Sequence, residues 1–145
     1  MNTNNTHWLI PFDGSDHSIR ALNLAIQEAN ARLTKPKLLL LNVQSPLPSD
    51  VTRFIDGSAI DDFHRENGEK TLHPAVKTLE TSGLEYRVNI LVGVIAQTIV
   101  DFGIEHACSM VIMGTHGLSG ALGLVMGSVT TKVLHQSTLP LLLTK

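Results

Sequence analysis

Short apolar runs separated by longer amphipathic segments repeat along nearly the whole chain, and this alternation restricts the folds open to it. Between the runs, apolar residues at steps of three and four predict helices. Strands that alternate with helices are typical of right-handed βαβ crossovers. The sequence therefore predicts an α/β fold, a parallel sheet with helices on both faces. The five predicted strands are Trp8–Phe12, Lys37–Val43, Tyr86–Val92, Met110–Met113 and Leu139–Leu143.

Four helices are predicted between these strands. The first carries the stripe from Ile19 to Leu33, with Ser15 or Asp16 as its N-cap. After a predicted loop at 44–57, the second helix runs from Ile60 to about Gly83, and Pro74 is expected to kink or interrupt it. The remaining two helices are predicted from Ile95 to about His106 and from Ser128 to His135.

Length and composition limit the function classes. The 145 residues suit one domain, predicted over 1–145, with 1–6 expected to be a disordered N-terminus. A formal net charge of −2 and only six aromatic residues argue against a nucleic-acid partner. The lone Cys108 excludes an internal disulfide and a cysteine-only zinc site. With neither a secretory leader nor a membrane span in view, we expect a cytoplasmic protein with no membrane partner.

A glycine-rich segment follows the fourth predicted strand and precedes the last predicted helix. It contains five of the chain's eleven glycines, at Gly114, Gly117, Gly120, Gly123 and Gly127. Such a loop can turn successive N–H groups inward around an anion, and a following helix adds its positive end. Hydroxyls at Ser128 and Thr130 are candidate phosphate donors or metal ligands. The pattern favours phosphate binding, although a flexible loop that only closes a βα unit has the same spacing.

The same segment indicates binding more than rapid turnover. It is neither a Walker A loop nor a Gly-x-Gly-x-x-Gly fingerprint. No Lys or Arg lies between Gly114 and Thr131, and His116 is the only titratable side chain there. The segment thus lacks the usual cation that neutralises charge in phosphoryl transfer. The alternative is an enzyme, a slow ATPase or nucleotidyl-transfer protein, with His116 as its one candidate base.

Two separated motifs resemble the ATP-binding branch of the universal stress protein family. Gly114-Thr115-His116-Gly117, nine residues and Gly127-Ser128 match its Gly-x2-Gly-x9-Gly-Ser/Thr motif. The first predicted strand ends in Asp13-Gly14-Ser15-x-x-Ser18, which is similar to that family's opening motif. The likeness extends over nearly the whole chain. It implies a Rossmann-like parallel sheet of order 3-2-1-4-5, with ATP across the ends of strands one and four.

The resemblance also implies a set of binding residues and a partner. The implied protein is a regulatory or stress-response protein that binds ATP, with Mg²⁺ as a candidate companion ion. It has no catalytic residues. A homodimer would pair through the last strand, at Leu139, Leu141 and Leu143, which would otherwise be a bare apolar edge. The implied nucleotide-binding residues are Pro11, Phe12, Asp13, Val43, Met113, Gly114, His116, Gly117, Gly127, Ser128, Val129 and Thr130.

Several residues have plainer explanations. Asp13 could serve in a turn or as a helix cap, Val43 could be a core residue, and Cys108 could be a small buried hydrophobic residue. Phe12 stands where the family usually has a smaller aliphatic residue, and His116 where many relatives carry Arg. A flavin carrier and a pure interaction module remain competing functions on the same predicted sheet.

Overall fold

The computed structural model describes residues 6–116 and 126–145. Within them the chain forms five strands and five helices, which alternate as predicted except for one additional short helix. In chain order they are β1 (His7–Pro11), α1 (Asp16–Asn30), β2 (Lys37–Gln44), α2 (Ser49–Thr52), α3 (Gly57–Glu80), β3 (Tyr86–Val92), α4 (Ile95–Glu105), β4 (Cys108–Gly114), α5 (Ser128–Gln136) and β5 (Leu141–Thr144).

All five strands join one parallel sheet in the order β3-β2-β1-β4-β5. β1 pairs with β2 from His7 opposite Lys37 to Pro11 opposite Leu41. The chain therefore lays down β1, β2 and β3 in one direction and then crosses back to place β4 and β5 on the other side of β1. This confirms the predicted sheet, including its order.

Alternate residues of the inner strands enter two separate cores. Trp8 and Ile10 pack with α1 and α3 on one face of the sheet, whereas Leu9 packs with α4 and α5 on the other. β2 divides in the same way, with Leu38 and Leu40 on the first face and Leu39 and Leu41 on the second. Burial on both faces explains why these strands read as continuous apolar runs instead of alternating ones.

The turn between β1 and α1 is closed by short hydroxyl side chains. The Ser15 hydroxyl accepts a hydrogen bond from Ser18 N at 3.2 Å, so Ser15 is the N-cap and Asp16 is the first residue of α1. The Ser18 hydroxyl donates back to the Ser15 carbonyl at 2.9 Å. The first bond satisfies an N–H that the first helical turn leaves without an intrahelical partner, and the second adds to the bond that the Ser15 carbonyl accepts from Ile19 N at 3.0 Å.

In the middle of the chain the structure corrects two predictions, the interruption at Pro74 and the loop at 44–57. Pro74 does not interrupt α3, which continues from Gly57 to Glu80. Pro74 lies on the exposed face, where water can solvate the carbonyl that lacks its N–H partner, while Leu72 and Leu79 anchor the helix in the core. The predicted loop at 44–57 contains α2, whose four residues are too few for a periodic pattern to show.

The ends of the chain differ in smaller ways. Residues 1–5 lie outside the described residues, so the predicted disorder of the N-terminus stays a prediction there. Thr6 is described, and its carbonyl accepts from Lys37 N at 2.8 Å. β5 lies at the sheet edge as predicted, although it begins at Leu141 and not at Leu139.

Cys108, at the start of β4, is a core residue with 4% of its surface exposed. Burial raises the pKa of its thiol from 9.0 to about 11, so the neutral form is held at physiological pH. This confirms the small buried hydrophobe predicted for Cys108. Separately, no helix within residues 6–116 and 126–145 has both the length and the apolar character needed to cross a membrane.

We expect Gly68→Ala to destabilise the fold, although alanine normally favours a helix interior over glycine by about 0.5–1 kcal/mol. A Cβ at Gly68 would lie 2.7 Å from Ile90 Cγ2 and 3.0 Å from Gln44 Nε2, because α3 packs closely on β2 and β3 there. Overpacking of this kind costs about 1–3 kcal/mol. Urea unfolding followed by circular dichroism measures the change.

Gly57→Ala is the matched control, since Gly57 lies in the same helix and an added Cβ would meet nothing within 4 Å. It should unfold at the same urea concentration as wild type or at a higher one. A Gly68→Ala variant as stable as the control would contradict the close packing of α3.

Candidate functional site

A cavity of about 480 Å³ opens where the strand order reverses, at the carboxyl ends of the central strands. Its walls come from the ends of β1, β2 and β4, from one face of α3 and from the first turns of α4 and α5. Ligands of open parallel sheets bind at such a switch point, because the loops on the two sides diverge there. The volume lies within the usual range for small-molecule sites, about 300–1,000 Å³.

One end of the cavity is formed by β4 and the N-terminus of α5. Gly114 is needed here because α1 passes directly over it: a Cβ at Gly114 would lie 2.6 Å from His17 Cβ and 2.9 Å from the His17 carbonyl carbon. Thr130 ties α5 to the same strand, since its buried hydroxyl donates to the Gly114 carbonyl at 2.8 Å. Gly127 N adds a bond of 2.7 Å to the Thr115 carbonyl.

These bonds hold the first turn of α5 against the cavity. The N–H groups of Ser128, Val129 and Thr130 have no acceptor within the helix itself, and Gly127, the N-cap residue, contributes no side-chain bond. An anion at this point gains both the amide donors and the positive end of the helix dipole. The Thr130 hydroxyl hydrogen is already donated to Gly114, so Ser128 is the hydroxyl that remains exposed at this end.

His116 lines the cavity beside this helix end and lies against residues of α1. Its ring centroid lies 5.0 Å from that of His17. Arg20, one turn further along α1, donates from Nη2 to His17 Nδ1 at 3.2 Å and from Nε to the Lys145 main-chain oxygen at 2.6 Å. The sequence placed no lysine or arginine within the glycine segment, and Arg20 of α1 is linked to His116 only through His17.

Asp13 lies half-buried at the end of β1 and lines the cavity. Its Oδ1 accepts from Ser15 N at 2.9 Å, the arrangement of an Asx-turn. The turn role considered for Asp13 is therefore present, and it leaves the carboxylate at the cavity wall. The neighbouring Phe12 side chain belongs to the core between the sheet, α1 and α3.

The middle of the cavity is apolar. Val43 at the end of β2 and Met113 at the end of β4 face it across β1, and Ile95 and Ile99 of α4 close it from the second core. Phe63 of α3 adds an aromatic ring that is about half exposed. A planar, weakly polar group of a ligand is the natural occupant of such a region.

The opposite end, formed by β2 and α3, is polar and tightly bonded. Asn42 Nδ2 donates to the Phe12 carbonyl at 2.9 Å, and Gln44 Nε2 donates to Asn42 Oδ1 at 3.1 Å and to the His64 carbonyl at 2.8 Å. Gln44 Oε1 lies 3.0 Å from His64 Nδ1 and accepts from Asn67 Nδ2 at 3.1 Å. We call Asn42, Gln44, His64 and Asn67 the Gln44 network.

Eleven of the twelve predicted site residues line this one cavity, and Gly117 lies outside the described residues. Their role toward a nucleotide stays a prediction. The sequence reasoning missed the contributions of α3 and α4 and the polar end of β2. A usable signal was the run of polar residues on one face of α3 opposite Asn42 and Gln44. The missed lining residues are Ser18, Leu41, Asn42, Gln44, Ser45, Phe63, His64, Asn67, Thr71, Ile95 and Ile99.

In the described part of the chain, no group of three or more His, Cys, Asp or Glu side chains is arranged to hold a metal ion.

The architecture defines a doubly wound α/β protein with a cavity at its switch point. The chain belongs to the universal stress protein family, whose family model matches residues 4–145. Universal stress protein MJ0531 of Methanocaldococcus jannaschii is 31% identical over 143 residues, which cover 94% of this chain and 80% of that protein.

Solved structures agree on the fold. Protein MJ0577 of the same organism superposes with a TM-score of 0.84 at 25% identity, covering 97% of this chain and 96% of that one. A universal stress protein from Archaeoglobus fulgidus, solved in complex with dAMP, has a TM-score of 0.66 at 24% identity, covering 97% and 98% of the two chains.

We expect Thr130→Val to lower the free energy of unfolding by about 1–2 kcal/mol, because the buried Gly114 carbonyl loses its hydroxyl donor while the side-chain shape is kept. Thr131→Val is the control. The Thr131 hydroxyl bonds the Gly127 carbonyl at 2.9 Å, and that carbonyl also accepts from Thr131 N at 3.0 Å. Chemical denaturation of both variants checks the difference; equal losses would contradict a specific Thr130–Gly114 tie.

Proposed function

We propose that this universal stress protein binds ATP in the switch-point cavity and acts as a nucleotide-dependent regulatory or stress-response protein. The observation that carries the proposal is one cavity with a helix N-terminus at one end, an apolar middle and a polar far end. The residues proposed to contact the nucleotide are Pro11, Phe12, Asp13, Val43, Met113, Gly114, His116, Gly117, Gly127, Ser128, Val129 and Thr130.

The chemistry of the cavity supports an adenine nucleotide. Phosphate oxygens suit the first-turn amides of α5, and the Ser128 hydroxyl can donate to them. The purine ring suits the apolar section at Val43 and Ile95. A relative of the same fold that was solved with dAMP makes adenine nucleotides the first probes to try.

Binding without rapid hydrolysis is the favoured form of the proposal. The lining residues within the described part of the chain include neither lysine nor arginine, and Arg20 reaches the site only through His17. A group placed to neutralise charge on a departing phosphate contributes much of the rate in phosphoryl transfer. Mg²⁺ would enter with the triphosphate. The protein is also proposed to be cytoplasmic, because the reducing cytosol keeps a free cysteine such as Cys108 in its thiol form.

Titration with ATP–Mg²⁺ tests the nucleotide proposal. Wild type should give saturable heat in isothermal titration calorimetry and a higher melting temperature with millimolar ATP. Val43→Trp should abolish both effects, because the larger ring fills the apolar section of the cavity.

The control is Val88→Trp, the same replacement at a residue of β3 that is 39% exposed and is not among the cavity-lining residues. It should bind ATP as wild type does. A wild-type melting temperature that does not change with ATP would refute the proposal.

We also propose a homodimer that pairs through β5 and its approach, at Leu139, Leu141 and Leu143. β5 is an edge strand, and both Leu141 and Leu143 pack only partly against the core. The Pro140 and Thr144 carbonyls accept from Val111 N and Thr115 N of the β4 side. By the alternation of a parallel ladder, the N–H of Leu143 points to the open edge, where a second copy can accept it.

Leu143→Pro removes that outward N–H without removing a bond to β4, and proline is tolerated on edge strands. We expect light scattering to give twice the 15.7 kDa chain mass for wild type and the single chain mass for the variant. Circular dichroism should show that both wild type and the variant are folded. A folded Leu143→Pro variant that remains dimeric would place the interface elsewhere.

A further inference from the structure

The Gln44 network joins the polar end of the cavity to two main-chain carbonyls, which reveal where its hydrogens are. A carbonyl oxygen only accepts, so the Gln44 atom 2.8 Å from the His64 carbonyl must be the amide nitrogen. For the same reason, the Asn42 atom 2.9 Å from the Phe12 carbonyl is its amide nitrogen. Asn42 Oδ1 then accepts from Gln44, and the two assignments agree.

These assignments determine the tautomer of His64. Both N–H groups of Gln44 are donated, and its Oε1 accepts from Asn67 at 3.1 Å. The 3.0 Å contact between Gln44 Oε1 and His64 Nδ1 therefore requires the hydrogen to be on Nδ1. In the neutral ring, Nε2 then carries a lone pair and acts as an acceptor.

His64 is buried, at 6% exposure, and it lines the cavity. Within residues 6–116 and 126–145, Nδ1 has Gln44 as its partner and Nε2 has no hydrogen-bond partner. Nε2 is also not a fully enclosed atom. An accessible acceptor without a partner among the described residues is satisfied by water or by a donor group of a ligand.

The position of His64 indicates which part of a nucleotide it would meet. Phosphates are drawn to the first turn of α5, next to β4, whereas the Gln44 network lies on β2 and α3, on the other side of β1. Val43 and Phe63 provide apolar surface beside the network. A nucleotide with its phosphates at α5 thus extends its base toward His64.

We propose that His64 Nε2 selects a 6-aminopurine by accepting a hydrogen bond from its exocyclic amine, and that Gln44 is the positioning residue that holds the ring in the accepting tautomer. The inference rests on the proposed nucleotide function and adds its specificity. Guanine and hypoxanthine present a carbonyl oxygen in place of that amine. Two lone pairs would then face each other in a partly desolvated site, which disfavours the 6-oxopurines.

Calorimetric titration with ATP, ITP and 2′-deoxy-ATP separates the possible donors. ITP replaces the amine by a carbonyl, and 2′-deoxy-ATP removes a ribose hydroxyl that could also donate to Nε2. We expect wild type to bind ATP at least about tenfold more tightly than ITP, equivalent to about 1.4 kcal/mol, and to bind 2′-deoxy-ATP nearly as well as ATP. A loss with 2′-deoxy-ATP that is as large as that with ITP and that disappears in His64→Leu would overturn the proposal, since the ribose hydroxyl would then be the donor to His64.

Variants test His64 and Gln44 through the ratio of the ATP and ITP affinities. A general loss of structure would weaken both affinities together and leave this ratio unchanged. His64→Leu should bring the ratio to about one, and Gln44→Leu should lower it severalfold. The control His73→Leu makes the same change at an exposed residue of α3 and should keep the wild-type ratio. A wild-type ratio in His64→Leu would overturn the assignment.

A readout without ligand or variant keeps the proposal testable if a variant does not fold. Long-range ¹H–¹⁵N NMR of wild type at pH 8 should show a His64 ring protonated at Nδ1. Protonation at Nε2 would overturn the proposal. Wild type that binds neither ATP nor ITP would refute the proposed function itself, whereas equal binding of both would refute only the selection by His64.

Discussion

The parallel pairing of β1 with both β2 and β4 is the constraint on which the rest of the molecule depends. A parallel pair needs a crossover, and the crossovers here place α1 and α3 on one face of the sheet and α4 and α5 on the other. Because every strand runs in the same direction, all the carboxyl ends lie at one edge. The cavity forms there because the loops after β1 and β4 lead to helices on opposite faces.

The two ends of that cavity are built by different physical means. At β4, main-chain groups dominate: Gly114 admits α1 at close range, and Thr130 secures the helix whose first amides face the cavity. At β2 and α3, side-chain amides and an imidazole hydrogen-bond one another, so the donors and acceptors of these bonds have assigned directions. The first arrangement favours negative charge, and the second favours one pattern of base substituents. In the proposed complex, this asymmetry would give the nucleotide one orientation.

Particular residues show how far the sequence could lead. The strands were predictable because Leu38 to Leu41 and Trp8 to Ile10 are buried on both sides of the sheet, which requires continuous apolar runs. The interruption predicted at Pro74 was wrong because helix propensity takes no account of packing. The buried residues of α3 stabilise the helix on both sides of a proline that faces solvent. Most of the predicted site residues came from motifs at strand ends and from the family resemblance. Gln44, His64 and Asn67 were missed because 20 or more residues separate the network's β2 and α3 members in the chain.

By itself, the sequence determined the number and type of the main elements and the parallel sheet. Strands buried on both faces appear as continuous apolar runs, and helices show a 3.6-residue periodicity, and both patterns can be recognised in short stretches of sequence. It also indicated an anion-binding segment after the fourth strand, because glycine spacing is a local property. Only the tertiary structure decided what surrounds the two ends of the cavity: His17 lies over Gly114 and is bonded by Arg20 at one end, and the Gln44 network sets the His64 tautomer at the other. Those features depend on which helix faces meet across the sheet, and such contacts arise from packing between distant parts of the chain.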